Sequence, residues 1–202
     1  MRARRLLSLA GVFLFVAVAL PLRSVAAEAG AAAFMTNVGN QVLQLLNDKQ
    51  TPAIDREQKF EKLVTQNFDV SRIARFVLGP RWRTATAAER QQFAQVFQTY
   101  MEQSYWSLFS QYDGQSFAVT GQQAQSPQLT LVNMQIVQLA GKPTISVDWV
   151  VAKQADGFKI SDVSIGGISQ VLTYRDQFAS FLDRNNGQVG SLIAELSKKT
   201  KG

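Results

Sequence analysis

Between Asp156 and Arg184 the apolar residues change their spacing at a pair of glycines. Asp156-Gly157 is a hairpin turn signal. Phe158 to Ile165 is rich in residues that suit a pleated surface. Gly166-Gly167 lets the backbone turn sharply. From Ile168 onward, Ile168, Val171, Leu172, Phe178, Phe181 and Leu182 fall on or near one helical face. A strand that passes directly into a covering helix predicts a curved sheet with that helix folded back over it. Such a shape can enclose apolar space.

The preceding chain supplies the other layers. Phe34, Val38, Val42, Leu45 and Leu46 recur at three- and four-residue steps and predict a helix over Phe34 to Asp48, with Ala29 to Ala33 frayed. Asp55 to Thr65 predicts a second helix. Asp69 is a good N-cap for a third, which Gly79-Pro80 ends. Thr86 and Glu89 form a capping box that opens the longest helix, Ala87 to Gln111. Its stripe contains Phe93, Val96, Phe97, Tyr100, Met101, Tyr105 and Leu108. Strands follow over Gln115 to Thr120, Leu129 to Gln138 and Thr144 to Ala152, with a loop expected from Gly121 to Pro127. Val132, Met134 and Ile136 share one face, as do Ile145, Val147, Trp149 and Val151. A short helix from Val189 to Leu196 follows the one that ends near Asn185. Helices, then a strand meander, then helices read as an α+β fold. The expected architecture is a curved antiparallel meander covered by N-terminal helices and a C-terminal helix, enclosing an apolar cavity.

The formal charge of +6 is concentrated at the start of the chain. Arg2, Arg4 and Arg5 precede the apolar run Leu6 to Leu20, and Val25-Ala26-Ala27 has the small residues of a cleavage site. Residues 1–27 are expected to be a secretory signal peptide and 28–202 a single domain. The run is shorter than the roughly 20 residues a spanning helix needs. Without Arg2, Arg4, Arg5 and Arg23 the chain carries 17 Lys+Arg against 15 Asp+Glu, a net of +2, so nucleic-acid binding loses its main support. The chain has no Cys and no His. That removes a Ser-His-Asp triad, a thiolate nucleophile and a His/Cys zinc site. No phosphate-cradling glycine motif is present, and no cofactor is expected.

Four pieces together resemble a known family. They are FDVSRIARFVLGPRWRTATAAERQQFAQVFQTY (Phe68 to Tyr100), GKPTISVDWVVAK (Gly141 to Lys153), DGFKISDVSIGGISQVLTYRDQF (Asp156 to Phe178) and the leader. In this order they resemble MlaC, the periplasmic lipid-shuttle component of the Mla system, also known as the toluene-tolerance auxiliary family. The hopanoid-associated HpnM branch is a similar match. The resemblance implies a soluble periplasmic carrier without catalytic residues. Such a carrier holds phospholipid tails in an apolar cavity. It exchanges lipid with an inner-membrane ABC transporter complex bearing an MCE-domain protein and with an outer-membrane lipoprotein–porin complex.

The expected cavity walls are Phe97, Tyr100, Met101 and Tyr105 from the long helix, and Val132, Met134, Ile136, Val147, Trp149, Val151, Val163 and Ile165 from the sheet. Ile168 and Val171 come from the last helix. Plain core packing explains each of them equally well. Arg72, Arg75, Arg81, Arg83 and Arg90, with Trp82 among them, form a basic cluster that is either a solvated helix face or a docking patch for acidic partners or anionic headgroups. Arg175 and Asp162 are a possible local ion pair. Two other readings stay open. In an isomerase-like cavity enzyme, Asp148 or Asp162 would act beside Tyr100 or Tyr105. By strand parity Asp148 points away from Trp149, whereas Asp162 shares parity with Phe158 and Ile160. The other reading is a ligand-free structural adaptor.

Overall fold

The computed structural model describes residues 23–109, 112–139 and 141–200. The expected leader lies outside them as far as Leu22, and the expected last residues of the long helix, Ser110 and Gln111, also lie outside.

Among the described residues there are seven helices and five strands, in the expected order but with a one-turn helix and a two-residue strand added. Helix α1, Arg23–Asn47, is continuous through the alanines expected to fray, because Ala31 is fully buried. Helix α2 spans Ala53–Asn67 and α3 spans Val70–Leu78. Asp69 caps α3 by accepting from Arg72 N at 3.2 Å. A one-turn helix, α4, Arg81–Thr84, occupies the turn after Gly79-Pro80. The capping box of α5, Ala87–Phe109, forms as expected: Glu89 N donates to Thr86 Oγ1 at 3.1 Å and Thr86 N donates to the Glu89 carboxylate at 2.8 Å. After the strands come α6, Gln170–Arg184, and α7, Val189–Lys199. Among the described residues no helix is long and apolar enough to cross a membrane.

The strands β1, Ser116–Ser126, β2, Leu129–Val137, β3, Ile145–Gln154, β4, Gly157–Ile165, and β5, Ile168–Ser169, form an antiparallel meander in the order β1-β2-β3-β4-β5. Three sequence expectations are corrected here. First, β1 continues through Gly121 to Ser126 instead of ending in a loop. Bulges between Val119 and Gly121 and between Ala124 and Ser126 let its polar second half stay paired to β2, and bulged, polar chain suits an exposed sheet edge.

Second, the chain does not pass straight from β4 into the last helix. Gly166 and Gly167 have φ of 58° and 82°, the positive pair of a primed two-residue hairpin turn. Ile168 and Ser169 therefore fold back against Ile165 and Ser164 before α6 begins. Third, β4 carries a bulge. Val151 pairs with Ile160 but Val150 pairs with Asp162, so Ser161 is the extra residue. One inserted residue reverses the face of everything beyond it. Asp162 leaves the face of Ile160, and Val163 and Ile165 join it.

The apolar interior has two clusters. Residues of α2, α3, α5, α6 and α7 form a helical core that includes Phe60, Ile73, Phe93, Phe97, Met101, Phe178 and Leu192. Helix α1 crosses the sheet and forms the second cluster from Ala31, Met35 and Val38 against Val132, Met134, Val151 and Ile160. It lies close: a Cβ on Gly30 would collide with the Phe158 ring, and one on Gly39 with the Phe117 ring. Phe68 touches both clusters. It pairs with Ile160 in a parallel bridge, and Asp69 N donates to Ile160 O at 2.8 Å. Gln154 Nε2 donates to Asp69 Oδ2 at 2.7 Å, and Lys159 Nζ donates to Gln66 O. These bonds join the helical layer to the sheet.

Candidate functional site

The sheet residues expected to wall a cavity do share one face, and the register stacks them in rows across the strands. One row is Val119, Met134, Val147 and Ile165. The next is Gln122, Val132, Trp149 and Val163. Val151 and Ile160 continue one end, and Ile136 and Ile145 the other. Directly paired side chains on one face sit about 5 Å apart, so the rows make a mostly apolar wall interrupted by Gln122. The bulge at Ser161 keeps the wall apolar as far as Ile165, by the shift of parity described above.

Two of these residues stand apart. Val147 and Val163 are each only 3% exposed, yet they belong to neither packed cluster. The same region holds polar atoms without partners. Trp149 Nε1 and Gln122 Oε1 are buried and accept or donate no hydrogen bond. They lie on one row, on either side of Val132. Burying such a group without a partner costs about 1–3 kcal/mol.

Aromatic rings mark the boundary with the helices. Phe68 lies 6.2 Å from Tyr105 of α5 and 6.5 Å, edge-on, from Trp149. Burial, with Tyr174 and Asp162 nearby, pushes the Tyr105 phenol far above its ordinary value. Tyr174 is pushed up to about 12, first by burial and then by Tyr100, against a lowering hydrogen bond with Ser104. Neither phenol ionises near neutral pH.

The residues expected on the helices are divided. Tyr105 reaches the sheet face through Phe68. Phe97 and Met101 are buried in the helical core. There Phe97 stacks on Phe93 at 5.8 Å and meets Tyr174 edge-on at 5.6 Å. Tyr100 faces Tyr174 at 6.0 Å. Val171 packs on the helical core, and Ile168 is 63% exposed just beyond the Gly166-Gly167 turn.

The carboxylates considered for acid–base work have structural partners. Asp148 lies on the opposite sheet face and accepts from its cross-strand neighbour Asn133 at 2.7 Å. Asp162 accepts from Val163 N at 2.7 Å, Ser169 Oγ at 2.6 Å and Val171 N at 3.2 Å, which ties the start of α6 to β4. Its expected ion pair with Arg175 does not form, because Arg175 lies over the Phe76 ring at 4.6 Å. The carboxyl held above its ordinary range is Glu102, between α2 and α5. Burial raises it, and hydrogen bonds from Gln98 at 2.9 Å and Thr65 at 3.2 Å partly offset the effect. In the sequence this residue is inconspicuous. Its only signal there is a charge within one step of the apolar stripe, at Met101.

The basic cluster also separates. Arg72, Arg75 and Arg83 line one groove of about 480 Å³ with Phe76, Trp82 and Arg175. Arg81 turns away, packs over Gly187 and approaches Asp183 at 4.0 Å. Arg90 Nε donates to Thr86 O at 3.4 Å.

A family model described as MlaC protein matches residues 36–198. Among solved structures, the fold is similar to that of the phospholipid-binding protein from Ralstonia solanacearum in complex with a phospholipid. The two agree with a TM-score of 0.73 at 23% sequence identity, over 85% of this chain and 97% of that one.

Proposed function

The chain belongs to the MlaC family, and on that premise we propose that it is a periplasmic lipid carrier. It covers the tails of a phospholipid, or of a hopanoid, against the apolar sheet face. It moves them between an inner-membrane ABC transporter complex with an MCE-domain protein and an outer-membrane lipoprotein–porin complex. Residues 1–27 direct its export and are removed. Its work is binding and release, with no chemical step.

The observation that carries this reading is the sheet face itself. Val147 and Val163 lie on this face beside Met134, Trp149 and Ile165, which gives acyl tails an apolar surface to lie against. The Ralstonia protein, which shares the fold, is in complex with a phospholipid. The energetic need is large. Each exposed methylene costs about 0.8 kcal/mol, so two tails of about 16 carbons cost on the order of 25 kcal/mol in water. A mostly apolar wall with an aromatic border removes that cost. Met134 on the wall can adapt to tails of varied shape.

Lipid extraction and native mass spectrometry of the purified protein test the proposal. Co-purifying lipid is expected, and its mass distinguishes phospholipid from hopanoid. Val147→Arg and Val163→Arg place a charge on the wall and should abolish it while circular dichroism still shows a folded protein. A lipid-free wild type, or folded variants that retain lipid at wild-type stoichiometry, would overturn the assignment.

A further inference from the structure

On the outer side of α3 and α6 is an apolar face edged by arginines. Ile168 is 63% exposed, Leu172 51% and Phe76 40%. Leu172 lies one turn before Arg175 on α6, and the Arg175 guanidinium covers the Phe76 ring of α3. Arg72, Arg75 and Arg83 border the same groove, and Trp82 is half-buried in it. No carboxylate lines the groove. The nearby acidic groups are engaged or turned elsewhere. Asp69 caps α3 and holds Gln154. Asp162 caps α6, Glu89 closes the capping box and Asp183 approaches Arg81. Asp176 lines a different groove, shared with Arg184 and Lys199. Among the described residues, neither of the ion pairs involves Arg72, Arg75, Arg83 or Arg175.

We infer that this face docks on an anionic phospholipid bilayer. Guanidinium groups match phosphate oxygens with paired hydrogen bonds. A tryptophan suits the headgroup level. Exposed aliphatic side chains enter the acyl boundary beneath it. The bilayer fits better than an acidic protein because of where the aliphatic residues stand. Ile168 follows a tight two-glycine turn and Leu172 is in the first turn of α6, so both stand on a projecting corner. A protein would need a matching hollow to bury such a corner, whereas a fluid interface deforms around it. The attraction is local, since the chain without its leader has a net charge near neutrality. The inference deepens the carrier reading by adding a membrane contact to it.

Vesicle co-sedimentation of the mature protein tests this, comparing phosphatidylethanolamine mixed with phosphatidylglycerol against phosphatidylcholine alone. Binding is expected only to the anionic vesicles and should fall as salt rises. Each arginine near such a surface contributes about fivefold in partitioning, so Arg72→Gln with Arg83→Gln should weaken binding about 25-fold. Because the chain has no cysteine, Ile168→Cys gives a single site for an environment-sensitive dye, whose emission should shift to the blue on anionic vesicles. Equal binding to both vesicle types, no effect of the arginine substitutions, or an unshifted dye while the protein is bound would each overturn the inference. So would binding to polyglutamate but not to vesicles. Lipid that co-purifies with the arginine variant reports on the carrier reading separately, and its loss from the wild type would not alter the vesicle result.

Discussion

The two apolar regions that meet at Phe68 use their side chains differently. In the helical core, Phe93 and Phe97 stack 5.8 Å apart, and both meet Phe178 edge-on at about 6 Å, with Tyr174 completing the group. Aromatic pairs of this kind add about 0.5–1.5 kcal/mol beyond their buried area. The sheet face is mainly aliphatic but includes Trp149 and Gln122, whose buried polar atoms have no partners. One region therefore holds the fold together. The other is the face on which the proposed lipid would lie, partly covered by α1.

Paired truncations test that contrast most strongly. Phe97→Ala should cost about 3–5 kcal/mol in denaturant unfolding, since it opens a void in a close-packed group. Val163→Ala should cost no more than about 1.5 kcal/mol, the transfer term alone. Losses at Val163 in clear excess of that would show a tightly packed sheet face and break the contrast. Thr86→Ala should cost about 1 kcal/mol by removing the α5 cap, without changing the amount of bound lipid. A loss of lipid in that variant would couple the two regions. The smallest effect is expected at Glu102. Burial holds its carboxyl above the ordinary range, so the folded state binds its proton more tightly than the unfolded state does. Its stabilising contribution is present at acidic pH and is lost as pH rises through the raised value. Glu102→Gln should flatten that part of the stability–pH curve and leave lipid binding unchanged.

Much of this contrast is legible in the sequence. Helical spacing marks the helices, Asp69 and the Thr86–Glu89 pair mark two starts, and alternation assigns Val132, Met134, Val147, Trp149 and Val151 to one face. The misreadings share a physical cause. The bulge at Ser161 is a relation between two strands, so the parity of β4 alone misplaces Asp162. The polar run from Gly121 to Ser126 has the composition of a loop, and only its ladder with β2 makes it a strand. The α5 stripe is wide enough to face two directions. Tertiary packing decides that Phe97 and Met101 are buried in the helical core, while Tyr105 packs on the edge of that core against Phe68. The arginines near α4 are close in sequence, but the one-turn helix directs Arg81 away from Arg72 and Arg83.

The ties between the layers also determine where the molecule can widen. Strand β4 is fastened to the helices at two places, through Ile160 to Asp69 and through Asp162 to the beginning of α6. It acts as the spine of a book. Among the described residues the hydrogen bonds between the layers lie at β3 and β4, whereas α1 crosses β1 and β2 by side-chain packing. Under the proposed carrier reading, a bulkier cargo is expected to displace α1 from β1 and β2 before it disturbs the aromatic core.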